Sequence, residues 1–266
     1  GIMNSSTLLG SPFRFAAGRD PRLVELLLRS DDEAKEQLNA HAAEMKIPFW
    51  SSRLKFYGPE TVIAAQWDHA KDVFKDIPGV TFAEGESWRF PLTEEQIAKC
   101  RDETDLGIPS LSIFSIGARS ATNPTPTAGH LWFSPVIPMT GEAIIESQRV
   151  LAQAFKDMGQ EPTVNVFPQS YHARTFVILV GFPIYHDVEK NKNTRNVFRH
   201  LIKVAAEHGW GEYRTHTAFM DDCAAAYSYN DSALLHLHET LKDAIDPNGI
   251  ISAGRYGIWP KHLRKT

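Results

Sequence analysis

Two observations predict an α+β fold, an antiparallel sheet with helices packed on one face, followed by a last helix and a tail. The first is the order of periodicities from His130 onward, β-α-β-β-α-β, which is the split, ferredoxin-like arrangement. The second is composition. A chain of 266 residues with 42% hydrophobic and 23% charged side chains can bury a core and is neither disordered nor fibrous.

The elements follow in order. Arg53-Leu54-Lys55-Phe56-Tyr57 alternates polar and apolar and predicts a strand, broken by Gly58. Pro59 suits a first helical turn, and Val62, Ile63, Trp67, Ala70, Val73 and Phe74 recur at helical spacing. Pro78-Gly79 ends that helix and Val80-Thr81-Phe82 starts a strand. Thr93-Glu94-Glu95-Gln96 reads as a capping box opening a short helix, and the stretches 84–92 and 120–128 read as surface loops. His130 to Val136 is a strand. Thr140-Gly141 opens a helix with an apolar face of Ile144, Ile145, Leu151, Ala152 and Phe155, stopped at Gly159. Strands around Val164 to Phe167 and Thr175 to Phe182 follow, then a helix from about Thr194 to His208 and a returning strand from Glu212 to Thr217. A last helix runs from Asn230 to Ile245, ended by Asp246-Pro247-Asn248-Gly249. The tail Ile250 to Pro260 is too apolar to be left in water. No domain linker stands out.

Several functions are excluded. The net charge is −4 with no lysine or arginine block to neutralise a phosphate backbone, so nucleic acid is not a partner. Two cysteines, Cys100 and Cys223, make neither a disulfide framework nor a four-cysteine zinc site, and they suit a reducing, cytoplasmic compartment. No apolar run reaches the ~18 residues of a membrane helix, so no membrane partner is expected. The start, Gly1-Ile2-Met3-Asn4, lacks the basic and apolar regions of a signal peptide.

The chemistry on offer is sparse. His236 and His238 are two apart on a helix and point to opposite sides, which argues against a metal clamp, and no metal site is expected. There is no His-Glu-x-x-His, phosphate loop, Gly-x-Ser-x-Gly elbow or dinucleotide glycine fingerprint. One stretch stands out, Gly209-Trp210-Gly211-Glu212-Tyr213-Arg214-Thr215-His216. A twist at the strand end can bring the Tyr213 and Arg214 heads round one anion; alternatively, Tyr213 packs in the sheet and Arg214 bridges a surface carboxylate. His130, at a strand start after Gly129, is either a nucleophile or ligand, or a loop histidine satisfied by hydrogen bonds. The residues alone leave both pairs of readings open.

Three motifs, Gly129-His130-Leu131-Trp132-Phe133-Ser134-Pro135, the stretch from Gly209 to His216, and Asp246-Pro247-Asn248-Gly249-Ile250-Ile251-Ser252-Ala253-Gly254-Arg255-Tyr256-Gly257-Ile258-Trp259-Pro260, resemble the vanillyl-alcohol oxidase and 4-cresol dehydrogenase family of flavoproteins. They occur in the family's order, and the similarity covers most of the chain after Arg53. The resemblance implies a substrate, or cap, domain over residues 1–229 and a C-terminal helix and tail over 230–266 that packs back towards an FAD-binding domain. That FAD-binding half is not in this sequence.

By this resemblance His130 lies where the oxidases carry the histidine bound covalently to the flavin 8α-methyl. Tyr213 and Arg214 match the pair that binds the substrate's phenolic oxygen as phenolate. Arg255 matches the basic residue near the flavin pyrimidine, where positive charge stabilises reduced flavin. Thr163 and His172 align with substrate-pocket positions, although the setting Tyr171-His172-Ala173 departs from the family's paired histidines. The implied partners are FAD, an FAD-binding domain or chain and a phenolic small molecule, and a homo-oligomer is compatible with them. The implied activity is oxidation of 4-substituted phenols by hydride transfer to flavin through a quinone methide. The chain alone is expected to be inactive. A stand-alone, non-catalytic cap binding an aromatic ligand or a partner chain is the alternative.

Overall fold

The computed structural model describes residues 8–10, 21–45, 50–100, 103–109, 129–160, 167–171 and 174–264. In chain order the elements are Leu8–Gly10 (β1), Pro21–Leu28 (α1), Asp32–Met45 (α2), Ser51–Arg53 (β2), Glu60–Phe74 (α3), Glu94–Lys99 (α4), Gly129–Phe133 (β3), Val136–Pro138 (β4), Gly141–Asp157 (α5), Phe167–Tyr171 (β5), Thr175–Ile184 (β6), Val188–Glu207 (α6), Met220–Ala225 (α7) and Tyr229–Ile245 (α8). Two compact units result, one within Leu54–Gly129 and the other drawn from Ser6–Arg53 and His130–Thr266.

In the larger unit the sheet order is β2-β1-β5-β6-β3, with β4 also on β6. β5 and β6 form an antiparallel hairpin with Tyr171 opposite Thr175, and β4 runs antiparallel to β6 with Val136 opposite Val177. On the far side of β3 and β4 the expected fourth strand, Glu212 to Thr217, is reduced to a single bridge between Pro135 and Glu212. Its cause is local: the His216 ring nitrogen Nδ1 accepts from the Ala218 amide at 3.2 Å, capping a 3-10 turn at Thr217–Phe219 that leads into α7. The order bridge, β3/β4, β6, β5 is that of the split unit.

The core lies between this sheet and α5 and α6. It gathers Phe133, Ile137, Leu151, Phe155, Ile178, Val180, Phe198 and Leu201 in one cluster. Phe198 stacks on Phe219 at 4.0 Å between centroids and meets Phe133 edge-on at 5.4 Å. The cap of α5 is as read, with Thr140 Oγ1 accepting from the Ala143 amide at 3.1 Å, and Gly159 leaves the helix at φ 65°. Helix α6 starts six residues before the expected Thr194, because the Asp187 carboxylate accepts from the Glu189 and Lys190 amides and starts the helix in a polar run without apolar period. In α8 the first turn is left-handed at Asn230, Asp231 and Ser232, and Leu234, Leu237, Leu241 and Ile245 form an exposed stripe at helical spacing. The strand expected at Val164 to Phe167 is seen at Phe167–Tyr171, with 164–166 outside the described residues.

In the smaller unit α3 forms as expected after Pro59, and the Thr93 and Gln96 capping box opens α4. The expected strands at 53–57 and 80–82 do not form beyond Arg53. Phe56 and Phe82 pack instead against Trp67 of α3, with centroids at 6.4 and 6.0 Å, and Lys55 pairs with Asp105. An alternating segment becomes a strand only where a partner edge meets it. Among the described residues, no helix is long and apolar enough to cross a membrane.

Candidate functional site

The site is built at the end of β3. His130 is half-buried, and its ring meets that of Trp132, two residues on and so on the same face of the strand, edge-on at 5.6 Å. Trp132 in turn lies over Gly181 of β6, where an added Cβ would come within 2.9 Å of the indole. Gly181 is therefore what lets Trp132 lie flat and support His130.

At the other end of the strand, three hydrogen bonds dock the segment that carries the Tyr-Arg pair. The Val136 amide donates to the Gly211 carbonyl at 2.8 Å, the Tyr213 amide donates to the Ser134 carbonyl at 2.8 Å, and the Ser134 amide donates to Glu212 Oε1 at 3.2 Å. Tyr213 is 40% exposed, so it is not packed into the sheet. The Arg214 guanidinium carbon lies 5.7 Å from the Tyr213 ring centroid. Among the described residues no carboxylate pairs with Arg214. His130 stands four residues up the strand from Ser134, about 13 Å away.

The tail closes over the other side. Asp246 is buried, accepts from the Ile250 and Ile251 amides at 2.8 and 2.9 Å and from Lys242 at 2.5 Å, and is held at about 2 chiefly by the Lys242 bond. That knot ends α8 and turns the chain back onto α7. There Trp259 Nε1 donates to Asp221 at 2.9 Å, the Tyr256 amide donates to Met220 Sδ at 3.4 Å, and Gly257 sits where a Cβ would lie 2.5 Å from that of Ala224. Tyr256 has φ 52°, a left-handed backbone unusual for a bulky residue, between Gly254 and Gly257 that are also left-handed. Arg255 is exposed, 5.1 Å over the Tyr256 ring, again with no carboxylate partner among the described residues.

Between the docked segment, α7, α8 and the tail is a cavity of about 330 Å³. Its polar lining includes Glu212, Tyr213, Cys223, Tyr227, His238 and Tyr256, and its apolar lining includes Met220, Leu234, Leu235 and Ile258. Burial pushes the Glu212 carboxyl up to about 8, against the opposing pull of the Ser134 amide and of the Cys223 thiol, whose sulfur is 3.6 Å from Oε2. Burial likewise pushes Cys223 up to about 12 and raises Tyr227, whose hydroxyl donates to the Glu212 carbonyl at 3.1 Å.

The structure thus docks Tyr213 and Arg214 beside Ser134, at the end of β3 away from His130, and it places Arg255 on a tail whose next residue, Tyr256, faces the same cavity as Tyr213. Thr163 and His172 lie outside the described residues. Glu212, Cys223 and Tyr227 escape the sequence reading. Glu212 carries one usable signal, a lone carboxylate inside an aromatic and glycine run.

Residues 174–256 match the family described as FAD linked oxidases, C-terminal domain. The chain is 26% identical over 211 residues to the 4-cresol dehydrogenase [hydroxylating] flavoprotein subunit of Pseudomonas putida, covering 79% of this chain and 37% of that protein. Among solved structures it is similar to the 4-ethylphenol oxidase of Gulosibacter chungangensis in its isoeugenol complex, with a TM-score of 0.64 and 26% identity over 98% of this chain and 49% of the other. It also shares the fold of a p-cresol methylhydroxylase with substrate bound, with a TM-score of 0.65 and 19% identity over 97% and 47%. The chain spans less than half the length of each of these relatives.

Proposed function

As a relative of the vanillyl-alcohol oxidase and 4-cresol dehydrogenase flavoproteins, the chain is, we propose, the substrate-domain portion of an FAD-dependent oxidoreductase that oxidises 4-substituted phenols. The observation that carries this reading is the docking of the Tyr213 and Arg214 pair against Ser134, just after the end of the strand that carries His130, with both arginines of the site free of carboxylates among the described residues. In this reading residues 1–229 form the substrate domain, and 230–266 carry the face that meets an FAD-binding half. The exposed stripe of Leu234, Leu237, Leu241 and Ile245 suits such a contact.

The residues present fit a flavin. His130 offers a half-exposed imidazole that can hold the ring covalently, and Arg255 offers an exposed positive charge for its pyrimidine end. When bound, the flavin supplies the hydride acceptor. The chain's own task is to ionise the phenol. A phenol ordinarily ionises near ~10, so holding it as phenolate at neutral pH takes about 4 kcal/mol. The Arg214 charge and a Tyr213 hydroxyl donor supply that at one oxygen. Electron density from the phenolate then labilises hydride at the para side chain and leaves a quinone methide, which takes up water or loses a proton.

The test is kcat/KM against pH for Arg214→Met in the chain reconstituted with an FAD-binding half. Loss of the charge should lower kcat/KM by roughly two to three orders of magnitude at neutral pH, and by less at high pH where the phenol is already ionised. A pH-independent loss would remove Arg214 from phenolate binding. In the same complex, His130→Ala should leave the flavin extractable by acid; flavin still covalently attached would move the linkage elsewhere.

A further inference from the structure

The segment that presents Tyr213 and Arg214 is not a strand, and a single bridge to Pro135 would hold it poorly. Two backbone bonds, from the Val136 amide to Gly211 and from the Tyr213 amide to Ser134, dock it, and three more gather on one residue. Glu212 accepts the Ser134 amide through Oε1, the Cys223 thiol through Oε2 and the Tyr227 hydroxyl through its backbone carbonyl. Its side chain takes the place of the next rung of the sheet ladder and at the same time ties the segment to α7. We infer that Glu212 is the positioning residue of the phenol-recognition pair, clamping Tyr213 and Arg214 to Ser134 at the end of the strand that carries His130. This rests on the phenol-oxidase reading for its functional half; the clamp itself rests on the hydrogen bonds alone.

Its protonation has a further consequence. A carboxylate two residues before Arg214 would draw on the guanidinium charge and repel a phenolate, whereas a neutral carboxyl leaves that charge free. Burial keeps Glu212 neutral up to about 8. The titratable groups facing it are Cys223 with its neighbour Asp222 on α7, Tyr227 beyond α7, and across the cavity Tyr213, His238 of α8 and Tyr256. Asp222 is engaged by Arg199 at 3.0 Å, and burial pushes both Cys223 and Tyr227 upward, so of Glu212, Cys223 and Tyr227 the carboxyl is the first to ionise as the pH rises.

Two measurements on the chain test this, using wild type, Glu212→Gln and Glu212→Ala. Amide hydrogen exchange across 209–216 should be fast in Glu212→Ala and restored by Gln, whose amide oxygen still accepts from Ser134, while the α5 and α6 core stays protected in all three. Equal protection of 209–216 in all three, or a uniform loss over the whole unit in Glu212→Ala, would overturn the clamp. The second measurement is affinity for 4-ethylphenol between pH 6 and 10, as the ratio of wild type to Glu212→Gln, which cancels ionisation of the ligand. The ratio should be constant below about pH 7 and fall by up to tenfold above pH 8; a constant ratio throughout would remove the charge effect. Failure of wild type to bind the phenol at all counts against the proposed function, and the exchange measurement still decides the clamp.

Discussion

Replacing Glu212 by Gln should stabilise the fold, by an amount that depends on pH. In the folded chain the carboxyl ionises at about 8, against an ordinary value of 4.5, because burial penalises its charged form. Below pH 4.5 both the folded and unfolded chains hold the proton, and Glu212 has no pH-linked cost. Between 4.5 and about 8 the unfolded chain releases the proton while the folded chain keeps it, so stability falls as the pH rises. Above 8 the loss levels off. The interval is 8 − 4.5 = 3.5, and at 1.36 kcal/mol for each pH unit the loss is at most about 5 kcal/mol. Relaxation of the segment towards water reduces this, and about 2–4 kcal/mol is expected. Gln preserves the oxygen that accepts the Ser134 amide and cannot ionise. Urea unfolding of both proteins at pH 4, 6, 8 and 9 should therefore give curves that differ little at pH 4 and diverge to a plateau above 8, with the variant the more stable. Asp246, which loses its stabilising charge as the pH falls from 3.8 towards about 2, is common to both and cancels. Two stability curves that run parallel from pH 4 to 9 would refute the assignment of a buried, neutral Glu212.

Three other substitutions probe the frame of the site. Phe198→Ala removes the ring at the centre of the core and should cost about 3–5 kcal/mol in the same urea assay; a cost below about 1 kcal/mol would mean that the stack on Phe219 is not formed. Gly257→Ala places a Cβ against Ala224 at a backbone φ of 73°, and should lower stability by about 2–4 kcal/mol while increasing protease cleavage in the tail. Asp246→Asn should reduce the acid sensitivity of the fold between about pH 4 and 2, since the wild-type carboxylate stabilises above its ordinary 3.8 and that contribution is lost as pH falls towards about 2; an unchanged acid transition would show that its bonds to Ile250, Ile251 and Lys242 do not matter to folding.

Helices α5 and α6 were legible because their apolar period is strong and their ends carry local signals in Thr140, Gly159 and Gly209. The strands at 53–57, 80–82 and 212–217 had the right alternation, but a strand is a relation between two segments, and alternation says nothing about whether an edge is waiting. Helices α1 and α2 precede the region in which the motifs lie and were not read. At the site, the adjacency of Tyr213 and Arg214 is visible in one dimension. The bond from Ser134 to Glu212 spans 78 positions, and nothing local to either residue announces it. Burial, which sets the Glu212 chemistry, is likewise a property of the assembled unit.

The sheet order also dictates a sequence of assembly. The turn from Tyr171 to Thr175 closes over 175 − 171 = 4 positions, whereas Leu8 of β1 meets Gln169 of β5 across 169 − 8 = 161. Loop-closure entropy grows as the logarithm of length, so joining β1 to the sheet costs about 3 kcal/mol more than closing the β5 and β6 hairpin. Local contacts form first. During synthesis β1 leaves the ribosome long before β5 exists, and it has only β2 to pair with while both the smaller unit and the hairpin are made. Outermost of all is β2, three exposed residues joined to the sheet only through β1, so this edge is the last to be sealed and the first to reopen.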